Sequence, residues 1–154
     1  MSVRAEQIER RIAGFVRACR QAGMKVTHQR TEVFREVAGT DEHPDAETVF
    51  ERVRRRIPAL SLDTVYRTLA TLERLGLIRR VDVVGDRARY DANTGPHHHF
   101  VCTVCGRIRD FTDESLDNLA PPKLLRAWGQ IKSVQVQVRG ICRQCKVKTK
   151  RRSR

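Results

Sequence analysis

The sequence predicts an α+β chain in two parts. An N-terminal helical part is closed by a β-hairpin, the arrangement of a winged helix-turn-helix, and a small α/β part follows it. Three observations predict this. Apolar residues recur at helical spacing through the first eighty positions, the pattern turns to strand-like runs after Gly76, and four of the five cysteines stand in two CxxC pairs. A chain of 154 residues holds one ordinary domain or two small ones, each marginal alone.

The elements follow in order. Ile8, Ile12, Phe15, Val16 and Cys19 form the apolar stripe of a first helix that Gly23 stops. Cys19 lies on that stripe and reads as a small core hydrophobe. A second helix opens near Thr27, carries Val33, Phe34 and Val37, and ends at Gly39. A third follows Pro44 with Ala46, Val49, Phe50 and Val53 inward. The fourth starts with Ser61 as N-cap, buries Val65, Leu69, Leu72 and Leu75, and ends at Gly76. Leu77 to Val84 and Ala88 to Asp91, joined through Gly85-Asp86, predict the hairpin. Asn93-Thr94-Gly95-Pro96 is a turn cluster and an expected hinge. Two short strands are expected at His99–Cys102 and Arg107–Phe111. A helix is expected over Asp113–Trp128, interrupted or offset by Pro121-Pro122. The alternation of Val134, Val136 and Val138 with Gln135 and Gln137 predicts a half-buried strand. The expected division is therefore residues 1–92, a hinge at 93–96, a second domain at 97–145, and a basic tail at 146–154.

Charge narrows the partners. Lys and Arg number 31 against 18 Asp and Glu, a net of +13, which points to an anionic partner and excludes an acidic solvating class. The excess is uneven. Residues 1–80 carry a net +5 and residues 81–154 a net +8, of which the tail from Lys146 supplies +6. Charge thus predicts general attraction to DNA with a salt-dependent tail contribution and does not locate the reading surface. The apolar runs are too short for a membrane span, and the charged N-terminus is unlike a signal peptide, so a cytoplasmic, reducing setting is expected.

The helix from Ser61 is the expected reading element. With Val65, Leu69 and Leu72 inward, Thr64, Arg67, Thr68 and Thr71 fall on the other face, with Tyr66 beside them. Short hydroxyl donors and one arginine suit base edges and phosphates in a major groove. The bland alternative is a solvated polar face; the basic chain and the following hairpin favour a recognition helix, with Ser61, Thr64, Tyr66, Arg67 and Thr68 as its contacts. For Arg54-Arg55-Arg56 a solvated helix end and a phosphate contact remain equally open.

Cys102, Cys105, Cys142 and Cys145 make two CxxC knuckles, and Gly106 allows a tight turn after the first. Four thiolates suit a tetrahedral zinc with no position left for water, hence a structural Zn²⁺. The alternatives are a redox CxxC, which lacks its usual setting here, and four unligated thiols. A second, softer constellation is His97-His98-His99. On a strand His97 and His99 share one face and His98 takes the other. Asp110, Asp91 and His43 are further N/O donors, suited to Fe²⁺ or Mn²⁺ rather than to an all-thiolate site.

Together these pieces resemble the ferric uptake regulator family of bacterial metal-dependent repressors. The likeness covers roughly Phe15 to Cys145. Its marks are Thr27-His28-Gln29-Arg30, where the family has Pro in place of His28, then His43-Pro44, Ser61 to Gly76, and Arg89-Tyr90-Asp91. They continue through His97 to Cys102, Cys105-Gly106, Asp110-Phe111 and the final CxxC. The resemblance implies a winged-helix DNA-binding domain, an α/β dimerisation domain with a four-cysteine zinc site, and a homodimer on an inverted-repeat operator in double-stranded DNA. Within the family, the peroxide-sensing branch uses a regulatory site of three His and two Asp, matched here by His43, Asp91, His97, His99 and Asp110. The iron-sensing branch usually carries Glu at the place of Asp110, and an additional site there needs a His that this chain lacks after His99. The peroxide-sensing branch further implies oxidation of His43 and His97 to 2-oxo-histidine, loss of the metal and release of the operator. No enzymatic turnover, organic substrate or membrane is expected. The alternatives are an iron-responsive repressor, a non-haem iron oxygenase using two His and a carboxylate, and a zinc-ribbon interaction module.

Overall fold

A computed structural model describes residues 5–81 and 87–152; the expected turn at Gly85-Asp86 lies outside the described residues. The chain divides between Thr94 and Gly95 into two compact units.

The first unit contains α1 (Ala5–Gln21), α2 (His28–Ala38), α3 (Ala46–Arg54), α4 (Leu62–Arg74), β1 (Arg79–Val81) and β2 (Arg89–Asp91). Three of the helices start on side-chain caps. Thr27, Asp45 and Ser61 each accept from the backbone N–H three residues on, which satisfies a donor the helix itself leaves open. At the other end of α4, Gly76 takes φ +70. Its N–H donates to Glu73 O, and that of Leu77 to Leu72 O, the paired bonds of a Schellman motif. That motif occupies Leu77, so β1 begins two residues later than the apolar run suggested. β1 and β2 pair antiparallel, Arg79 opposite Asp91 and Val81 opposite Arg89.

The expected stripes meet in one core. Ile12, Phe15, Cys19, Val33, Phe34, Val37, Val49, Val53, Val65, Leu69 and Leu72 are buried together with Ile78, Tyr90 and Ala92, and Phe15 stacks on Phe34 at 5.1 Å. Burial holds the Cys19 thiol above its ordinary value, in keeping with a core role. Ion pairs bind the outside of the same helices. Arg56 bridges Glu32 and Glu36 at 3.0 Å each, Arg52 reaches Glu42 at 2.9 Å, and Arg35 reaches Glu9 at 2.8 Å. They line an open groove of about 720 Å³ whose arginines are already paired with carboxylates. Arg54 lies over the Phe50 ring at 5.1 Å. Of the arginine run, Arg54 and Arg56 are thus engaged within their own unit.

The second unit contains β3 (His98–Cys102), β4 (Ile108–Phe111), α5 (Glu114–Asp117), a 3₁₀ turn (Lys123–Ala127), β5 (Gln137–Gly140) and α6 (Arg143–Arg152). The sheet order is β4-β3-β5, with β4 antiparallel and β5 parallel to β3. Two expectations need correction here. The helix over Asp113–Trp128 is only α5 and the 3₁₀ turn. Pro121 and Pro122 supply no N–H, and the residue before a proline is steered away from helix. The valine alternation does not make a half-buried strand from Val134. β5 starts at Gln137, and Val134 and Val138 are 39% and 42% exposed. The basic tail is helical through Arg152, as α6 runs on from the second CxxC. Among the described residues no helix is long and apolar enough to cross a membrane.

Candidate metal centres and nucleic-acid interface

The sheet of the second unit brings the two CxxC pairs together. β3 delivers Cys102 and Cys105, and parallel β5, anchored where Thr103 N–H donates to Gly140 O, delivers Cys142 and Cys145 at the start of α6. Gly106 takes φ +69 with open space about its Cα, so the tight turn asks for glycine on backbone grounds alone. One sulfur from each residue lies within 4.8 Å of the other three, as a tetrahedral ion requires. Cys105 Sγ is 3.8 Å from Cys142 Sγ. The backbone prepares the thiolates unequally. The N–H groups of Cys142 and then Cys105 hold the Cys102 thiol down at about 6. The Cys142 sulfur, followed by burial, pushes Cys145 up to about 12. This donor set, soft and four-fold, fits zinc.

A trio of N/O donors stands at the opposite end of β3. His99 pairs with Asp110 across β3 and β4, and its Nε2 is 3.3 Å from Asp110 Oδ1. His97 precedes the strand but shares the His99 face, as alternation predicted; the two Nε2 atoms are 3.0 Å apart and the rings stand edge-on. His97 Nδ1 donates to Gly95 O at 2.8 Å, so its Nε2 carries a lone pair toward Asp110. His98 points the other way and is structural. Its Nδ1 accepts from Val136 N–H at 3.1 Å, and its Nε2 meets Asp117 at 3.0 Å. Two imidazoles and a carboxylate on one face fit a divalent ion of the Fe²⁺, Mn²⁺ or Zn²⁺ class.

The first unit holds a second set of the same chemistry. His43 Nε2 lies 3.6 Å from Asp91 Oδ2. The other Asp91 oxygen accepts from Asn93 N–H at 2.7 Å. His43 takes φ +53, a left-handed conformation unusual for a non-glycine residue. β2 holds it there. The Arg89 guanidinium donates to His43 O and, at 2.8 Å, to Glu42 O, while Tyr90 N–H donates to Pro44 O at 3.1 Å. Asp91 ends the same strand.

The exposed edge of α4 borders a groove of about 280 Å³ shared with the start of α2 and lined by Thr27, Gln29, Arg30, Thr64, Arg67, Thr68 and Thr71. Arg67 is largely exposed and pairs with Asp63 of its own helix at 3.0 Å. Tyr66 is 45% exposed, and its hydroxyl donates to Glu47 at 3.0 Å. One expectation changes. Thr68 is 4% exposed and sits in the groove floor against the core, because it follows Val65 by three residues and precedes Leu72 by four. Ser61 caps α4 as expected, its Oγ accepting from Thr64 N–H at 3.1 Å. Gln29 and Arg30 at the groove were not expected. Thr27 as an N-cap was the available signal, since a second helix starting at this edge brings its first turn alongside.

A four-helix core closed by a two-stranded wing, followed by a sheet carrying a four-thiolate centre and a separate His/Asp face, defines a metal-dependent transcription regulator. The chain belongs to the ferric uptake regulator family, whose model matches residues 21–139. It is 27% identical to a peroxide-responsive repressor PerR of Staphylococcus aureus over 148 residues, 96% of this chain and all of that one. It is similar to the solved Campylobacter jejuni peroxide stress regulator (27% identity, TM-score 0.65, 84% of this chain and 98% of that one). It shares its fold with Helicobacter pylori Fur (23% identity, TM-score 0.77, 94% and 97% covered).

Proposed function

We propose that this regulator is a peroxide-responsive repressor acting as a homodimer on an inverted-repeat operator. The observation that carries the reading is the face made by His97, His99 and Asp110, an all-N/O donor set with aspartate at the strand end. In this reading His43 and Asp91 of the first unit complete the same regulatory site. Cys102, Cys105, Cys142 and Cys145 hold a structural Zn²⁺. The regulatory ion is Fe²⁺ or Mn²⁺; Fe²⁺, when bound, would supply the redox chemistry that opens the O–O bond, while the two electrons of the net reaction come from the imidazole ring.

The residues then do the rest. Gly95 O fixes the tautomer of His97, and Arg89 fixes the backbone from which His43 projects. Each oxidised imidazole gains one oxygen at C2 while hydrogen peroxide is reduced to one water. A 2-oxo-histidine is a poor ligand, and a site that joined both units no longer fixes their angle, so operator binding is lost. On the DNA side, Thr64, Tyr66 and Arg67 read the major groove, with Arg30 and Gln29 beside them on the phosphates.

Peroxide treatment of the iron-loaded and manganese-loaded protein, followed by peptide mass spectrometry, tests this. The expected result is one added oxygen at His43 or His97 with iron and none with manganese; unmodified histidines in the iron sample refute it. A second reading, an iron-responsive repressor, draws on the likeness to Francisella tularensis Fur with iron (25% identity, TM-score 0.68, 80% of this chain and 96% of that one). It expects operator release on chelation with no oxygen gain.

A further inference from the structure

We propose that Gln135 is a positioning residue for His99, with its side-chain oxygen holding the Nδ1 proton when Nε2 serves as a metal ligand. This deepens the regulatory-site reading and rests on it. A neutral imidazole has one N–H and one lone pair, and the partner of one nitrogen decides the role of the other. His99 Nε2 faces Asp110 at 3.3 Å and His97 Nε2 at 3.0 Å, which makes it the ligand atom. Its Nδ1 faces the Gln135 amide at 3.3 Å.

His97 has a backbone acceptor for its Nδ1 proton, Gly95 O. His99 has a side chain in the corresponding place, and that side chain has two chemically opposite ends. The Gln135 NH2 group lies 3.3 Å from His99 Nδ1 and 3.4 Å from His97 O. It donates to both, so the His99 proton sits on Nε2 toward Asp110. Metal binding at Nε2 moves that proton to Nδ1, and the same amide then serves by presenting its oxygen. Amide oxygen and nitrogen are nearly equal in size, so the exchange leaves the packing unchanged. The backbone around Gln135 is already strapped to the ligand segment. His99 N–H donates to Val136 O and Val136 N–H to His98 Nδ1, both at 3.1 Å. Gln135 therefore offers donor or acceptor from a fixed position, which a leucine or a lysine cannot do.

The test uses the full-length, zinc-replete protein and Mn²⁺ as the probe, with free Mn²⁺ read by electron paramagnetic resonance. Gln135→Leu and the donor-only Gln135→Lys are expected to weaken Mn²⁺ binding about 10- to 100-fold. Gln135→Glu, an acceptor, is expected to keep wild-type affinity or better. With Co²⁺ loaded, the shifted His99 Nδ1–H proton resonance should exchange slowly with solvent in the wild type and in Gln135→Glu, and rapidly in Gln135→Leu. If the amide matters only as a donor to His97 O, Gln135→Glu fails together with Gln135→Leu and the proposal is overturned. Unchanged Mn²⁺ affinity in Gln135→Leu, with the His99→Ala variant clearly impaired, overturns it while leaving the regulatory site standing. Unchanged affinity in His99→Ala instead removes the site reading itself.

Discussion

Removing zinc should unfold the second unit and leave the first intact. The first unit buries a core drawn from all four helices and the wing. Among the described residues of the second unit the fully buried aliphatic side chains are Val101 and Ile108, joined by Cys102, Cys145 and three histidines. Two aliphatic side chains contribute about 3–6 kcal/mol by burial. A structural zinc contributes about 10–16 kcal/mol in small thiolate domains, so the metal term dominates. The perturbation is chelation, or Cys142→Ser to remove one ligand. Hydrogen exchange with peptide-level mass spectrometry is the assay. It compares the β3 amides, bonded at His99 to Val136 O and at Cys102 to Arg107 O, with those of α4. Protection over 98–102 should collapse to that of an open chain while α4 keeps its own. Retained β3 protection in protein shown by elemental analysis to hold no metal would refute the reasoning.

Three further outcomes are expected. The Cys102 value of about 6 lies below its ordinary 9.0, so its thiolate favours folding above about pH 9 and loses that effect as pH falls through about 6; Cys145, raised to about 12, behaves oppositely and stays neutral. Because the metal-free unit is unfolded, its thiols stand near their ordinary value, and zinc uptake near about pH 8 should release nearly four protons; three or fewer, the number for a preformed site with Cys102 already ionised, would show that the unit folds without metal, as read by calorimetry in buffers of different ionisation enthalpy. Leu69→Ala, at a fully buried site, should cost about 2–5 kcal/mol in thermal or denaturant unfolding, and Gly76→Ala about 1–2 kcal/mol, since φ +70 is strained for alanine even in open space. Arg67→Ala should weaken operator binding and lower the salt slope by about one, whereas Arg56→Ala, whose charge is already met by Glu32 and Glu36, should leave the slope unchanged.

The sequence by itself determined the helical half almost element by element. Helix stripes and caps are local: Thr27, Ser61 and Gly76 act on residues within one turn, so their effects can be read along the chain. The CxxC pairs were equally legible, because two-residue spacing presets each half of a thiolate site. Tertiary structure alone decided matters that depend on what packs from elsewhere. Thr68 borders the α4 stripe, three residues after Val65 and four before Leu72, and the groove shared with the start of α2 settles it as buried. Arg56 was as compatible with a solvated helix end as with a phosphate contact, yet two distant glutamates claim it. The valine alternation from Val134 specified a face but not its cover, and in this chain Val134 and Val138 stand exposed. Finally, strand alternation separates His98 from His97 and His99 but does not name their partners. β4 sets Asp110 opposite His99, and the parallel placement of β5 beside β3 gives His98 a backbone donor and His99 an amide. Local chemistry is written in short spacings, whereas the partner of each polar group is set by which strand the fold lays beside it.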